Sequence, residues 1–66
     1  MKNDIKERRK ELGLRQEDIA AMLNVSRQTI IAIENNKYNP TLELAMKIAK
    51  LLGAVVEEVF EMEEGK

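Results

Sequence analysis

Gln16–Asn35 reads QEDIAAMLNVSRQTIIAIEN, and its reading decides the fold. Ile19, Ala20 and Leu23 recur at the spacing of one helix face, and Ile30 and Ile33 do the same further on. Between the two runs, Asn24-Val25-Ser26 leaves room only for a turn. Asn tolerates the left-handed conformation that ends a helix, and a Ser side chain accepts from an orphan N–H at the start of the next. The stretch is therefore predicted to be two short helices meeting at a tight corner, the second capped by Ser26.

Upstream, Asp4 is expected to open a first helix, with Glu7 at capping-box spacing. Ile5, Arg9 (or Arg8) and Leu12 fall on one side of it, Gly13 closes it, and Leu14 anchors the connection. Arg15 then stands where a capping Ser or Thr belongs, and its charge opposes the helix dipole. Broken local rules tend to mark function, which makes Arg15 a candidate anion contact. Downstream, NNKYNP over 35–40 is a loop, and Thr41 caps a fourth helix. Leu42, Ala45, Ile48, Ala49 and Leu52 give that helix its apolar face, and Gly53 ends it. Val55, Val56, Val59 and Phe60 suit a fifth helical turn or a short extended segment. The fold class expected is all-α: five short helices around one core in a single domain over 1–66, with an acidic tail at 61–66.

Composition narrows the function. With 66 residues the chain buries only about 60% of its extended-state surface, which leaves a thin stability margin. It has no cysteine and no histidine, so disulfide scaffolds and the usual zinc sites are excluded. Neither a secretory leader nor an apolar span of membrane length is evident, and the expected location is the cytoplasm. The net charge of −1 conceals an asymmetry. Residues 1–40 hold eight Lys/Arg against six Asp/Glu, a net of +2, whereas 41–66 hold three against six, a net of −3. The basic excess surrounds the central pair of helices. No phosphate-cradling Gly-rich loop or set of acid–base groups points to an enzyme, a metal or a cofactor.

Two helices joined in this way form a helix-turn-helix, whose second helix can be offered to the DNA major groove. IKERRKELGLRQEDIA, NVSRQTIIAIENNKYNP and TLELAMKIAKLLG followed by EEVF together resemble the phage-repressor (Cro/CI-like, XRE) family over about residues 5–60, most nearly its small stand-alone members. The resemblance implies a double-stranded DNA-binding transcriptional regulator, a repressor acting as a homodimer on a pseudo-palindromic operator. It implies base contacts from Arg27, Gln28, Thr29 and Ala32, where Arg suits guanine and Gln suits adenine. Thr29 has the further option of bonding back to the Ser26 cap. Phosphate contacts would come from Gln16, Arg15, Ser26, Asn36, Lys37 and Asn39, with Tyr38 either packed on the domain or stacked on sugar-phosphate. Arg9 and Glu34 match a family ion pair between the first and third helices. Ile31 and Ala32 make the second turn of the recognition helix unusually apolar, so the operator should differ from those of relatives.

The dimer surface is expected at Val55, Val59 and Met62, apolar residues in excess of what a small core needs. The same segment supports a second reading, an antitoxin or coregulator whose main partner is another protein.

Overall fold

The computed structural model describes residues 2–61. Five helices, α1 (Ile5–Glu11), α2 (Gln16–Leu23), α3 (Arg27–Glu34), α4 (Leu42–Leu51) and α5 (Val56–Val59), are bracketed by strands β1 (Lys2–Asn3) and β2 (Phe60–Glu61). Four helices end in the same way. Gly13, Asn24, Asn36 and Gly53 each adopt positive φ. The residue after each donates its N–H back to a carbonyl five residues earlier: Leu14 to Arg9, Val25 to Ala20, Lys37 to Ala32 and Ala54 to Ala49, at 2.9–3.0 Å. This satisfies carbonyls that a helix end would otherwise leave open. An apolar residue normally follows the left-handed one and packs back on the helix. Leu14, Val25 and Ala54 do so; the exception is Lys37, which is exposed.

The helix starts are equally local. Ser26 Oγ accepts from Thr29 N–H at 3.1 Å, and Thr41 Oγ1 from Leu44 N–H at 3.2 Å. Arg15 and Val55 have no capping side chain, and each is served from three residues ahead. Asp18 Oδ2 accepts the Arg15 N–H at 2.8 Å, and Glu58 Oε1 accepts the Val55 N–H at 3.3 Å. The capping rule that Arg15 breaks is thereby half repaired.

The core gathers Ile19 and Ala20 from α2, Ile30 and Ile33 from α3, Ala45, Ile48 and Ala49 from α4, and Ile5, Leu52, Val59 and Phe60. At about 1.5–3 kcal/mol for each fully buried aliphatic side chain, this cluster is the main source of stability. It also sets the attitude of α3, whose Ile30 and Ile33 face inward.

Several expectations need correction. Asp4 does not cap α1: its Oδ2 is taken by Arg8 Nε at 2.9 Å, and Asn3 Oδ1 accepts the Ile5 N–H instead. Leu12 is exposed. Ile5 and Arg9 form the inward row of α1, the next position on that row is Gly13, and Leu12 lies off it. Leu42 is 71% exposed because it is the first residue of α4. Helix side chains lean toward the N-terminus, and this one leans past the end of the core. The C-terminal segment is helical first and extended afterwards, and the pairing of β2 with β1, Asn3 opposite Phe60 and Lys2 opposite Glu61, has no counterpart in the sequence reading. Val59 is 1% exposed and belongs to the core, so it is not available to a dimer surface. Met62 lies outside the described residues.

Candidate nucleic-acid interface

The corner between α2 and α3 determines which residues of α3 face outward. Asn24 at φ 59° reverses the chain, Val25 packs on the core, and Ser26 starts α3. With Ile30 and Ile33 facing inward, Arg27 and Gln28 stand exposed on the first turn. Thr29 is half-buried, and its hydroxyl lies 2.9 Å from Ser26 Oγ. Of the two options open to Thr29, the bond to the cap is the one seen, and it also occupies Ser26. Ala32, four residues after Gln28, is half-buried, as is Ile31. The outer face of α3 therefore has two long polar side chains on its first turn and small or apolar ones on its second.

The far end of α3 is held by a buried polar cluster. Glu34 accepts from Arg9 Nε at 2.8 Å on Oε2 and from Arg9 Nη2 at 3.2 Å on Oε1. Arg9 Nη1 donates to the Leu14 carbonyl at 3.1 Å. The Arg9 and Glu34 side chains are 9% and 3% exposed, so this bidentate pair is shielded from solvent. A third group joins it, since Gln16 Nε2 donates to Glu34 Oε1 at 3.1 Å. Helices α1, α2 and α3 are thus tied through one carboxylate. Gln16, assigned to phosphate by resemblance, is half-buried and braced here, and its second amide hydrogen is left for an external acceptor.

Arg15 projects into solvent with its guanidinium 3.6 Å from Glu17 and 3.8 Å from Asp18. Such exposed, loose pairs are worth little, so the charge remains available to a stronger anion. After α3, Asn36 takes the left-handed turn, and Asn36, Lys37 and Asn39 are exposed, as is about half of Tyr38. One element of this surface escaped the sequence reading. Asn3 Nδ2 donates to the Ile33 carbonyl at 2.8 Å and to Asn36 Oδ1 at 3.1 Å, tying β1 to the end of α3. A contact across thirty residues leaves no local signal in the sequence.

A helix-turn-helix family model matches residues 5–58. The chain is 55% identical over 64 residues to an uncharacterised HTH-type transcriptional regulator of Methanocaldococcus jannaschii, covering 97% of each. It is 49% identical over 65 residues to another so named in Methanothermobacter thermautotrophicus, covering 97% of this chain and 94% of the relative. It is also 45% identical over 64 residues to one in Bacillus subtilis, again covering 97% of each.

Proposed function

The chain belongs to the helix-turn-helix family of XRE-type transcriptional regulators, and from that premise we propose that it is a repressor reading double-stranded DNA in a sequence-specific way. In this reading residues 1–66 form one DNA-binding domain, with 16–35 as the part that reads. The carrying observation is the setting of α3. Its first turn exposes Arg27 and Gln28, its inner face is locked by Ile30 and Ile33, and its far end is braced through Glu34. Arg27 forks onto guanine and Gln28 onto adenine, while Ala32 offers a methyl-sized contact to thymine. Gln16, Arg15, Asn36, Lys37 and Asn39 supply the phosphate contacts that fix the register. Ser26 and Thr29 act chiefly by holding the first turn of α3 in place.

One recognition helix covers only a few base pairs, and the proposal includes a homodimer on a pseudo-palindromic operator. With Val59 in the core, the dimer face is reassigned to Leu42, Met46 and Val55, which remain 71%, 55% and 55% exposed. They line one groove between α4 and α5 together with Lys50 and Glu57. Among the described residues neither Lys50 nor Glu57 has an ion-pair partner. In an isologous interface over this groove, a contact of Lys50 with the Glu57 of the other copy would occur twice and would pair both charges. Met46→Glu places carboxylates at that contact. It is expected to leave a folded monomer at concentrations where the parent sediments as a dimer, and to weaken operator binding about a hundredfold or more through lost bivalency. A Met46→Glu protein that sediments as a dimer would remove this face from consideration.

Selection from a random duplex library at two salt concentrations tests the function itself. A palindromic consensus is expected, with half-sites about one helical turn apart. Enrichment of no sequence would overturn the reading and favour a regulator acting mainly through a protein partner.

A further inference from the structure

Asn3 ends β1, away from the α2–α3 corner, and both ends of its side-chain amide are in use. The Ile5 N–H donates to Asn3 Oδ1 at 3.1 Å, and Asn3 Nδ2 donates to the Ile33 carbonyl at 2.8 Å and to Asn36 Oδ1 at 3.1 Å. The backbone dictates the polarity of this relay. An N–H can only donate and a carbonyl can only accept, so Asn3 has a single orientation. Asn36 meets the Nδ2 end and must turn its own oxygen inward. Its amide hydrogens are then left on the other side, at an exposed position directly after α3 and beside Lys37. Asn3 is itself well anchored, opposite Phe60 in the two-stranded sheet, and the next residue donates its N–H to the Val59 carbonyl at 3.1 Å.

We propose that Asn3 is a positioning residue of the DNA interface. It holds the end of α3 through the Ile33 carbonyl and turns Asn36 so that the Asn36 amide group donates to a backbone phosphate oxygen. A phosphate in the duplex backbone offers acceptors only, so an Asn36 turned the other way would set oxygen against oxygen. The inference rests on the DNA-binding reading above and adds to it a residue outside the helix-turn-helix. It also makes the two-stranded sheet part of the recognition apparatus: seating β1 on β2 sets the polarity of a side chain at the DNA.

Asn3→Asp separates the two duties of the side chain. The carboxylate still accepts from the Ile5 N–H and so preserves the start of α1. It presents only oxygen to Ile33 and Asn36, which forces Asn36 to donate inward and point its oxygen outward. The duplex selected by the parent protein is the probe, and binding is compared for the parent, Asn3→Asp, Asn36→Ala and the double variant, with thermal unfolding confirming that each is folded. Asn3→Asp is expected to weaken binding about tenfold, the size of one hydrogen bond to a charged group. In the Asn36→Ala background the same change should cost clearly less, about threefold, which covers the lost bond to the Ile33 carbonyl and the added negative charge near DNA. An equal loss in both backgrounds would make Asn3 a purely structural residue and overturn the inference, as would unchanged affinity. If Asn3→Asp does not fold, Asn3→Ser serves in the same cycle, since its hydroxyl can cap Ile5 but is too short to reach Asn36. A parent that selects no duplex fails earlier and separately, and brings down the DNA reading with this inference.

Discussion

Replacing Arg27 and Gln28 together by alanine is expected to erase the preference of the protein for its selected duplex over random DNA while leaving its melting temperature nearly unchanged. Each bidentate side chain–base pair contributes about 1–3 kcal/mol of discrimination, so the double change should reduce specific affinity by about thirtyfold at least. The fold should tolerate it because both side chains are exposed on the first turn of α3 and neither touches the core or the Ser26 cap. Alanine is also the better helix former. Lys37→Ala provides the contrast. It should weaken selected and random duplexes alike and lower the salt dependence by about one charge, because a phosphate contact carries no sequence information. Competition binding at several salt concentrations distinguishes the two patterns. Retention of full discrimination by the Arg27→Ala/Gln28→Ala protein would mean that some other surface reads the bases.

Glu34→Ala should have the largest effect on stability. The Glu34 carboxylate accepts from Arg9 twice and from Gln16 once, and its loss leaves a buried guanidinium with only the Leu14 carbonyl as partner. Removing one member of a buried pair costs about 3–5 kcal/mol. For a domain of this size that is most of the stability, equivalent to a fall in melting temperature of about 15 °C or more. Arg9→Met combined with Glu34→Leu should be far milder, since it removes both charges and leaves none unpaired. Circular dichroism melts of the two variants and the parent decide the matter. A Glu34→Ala protein as stable as the parent would show that the cluster adds nothing to stability. If the double apolar variant folds but binds the selected duplex more weakly, the cluster serves to orient α3 and Gln16 at the DNA.

The helix boundaries were legible because their causes are local. Gly13, Asn24, Asn36 and Gly53 occupy the left-handed positions that their residue types favour, and Ser26 and Thr41 cap the helices they precede. Where local reasoning failed, a competing partner had intervened. Asp4 has the residue type of a cap, yet the guanidinium of Arg8, four residues on, takes its carboxylate and Asn3 performs the capping. Periodicity named the correct face of α4 but not how far the core reaches along it, and Leu42 fell outside. The ion pair of Arg9 and Glu34 came from family resemblance and not from pattern, because two charged residues 25 positions apart carry no periodic signal.

The sequence by itself determined where each of the first four helices begins or ends to within a residue or two, and that α3 would start on Ser26 with Arg27 and Gln28 on its first turn. Those outcomes depend on hydrogen bonds and spacings within about five residues, which a linear reading can follow. Tertiary structure alone decided that Val59 is core while Leu42 and Met46 are surplus, that Gln16 joins Arg9 on the Glu34 carboxylate, and that Asn3 reaches the end of α3. Each of these depends on which distant groups meet once the elements pack. The chemistry of a buried carboxylate or a side-chain amide is set by those neighbours, and the chain order does not state them.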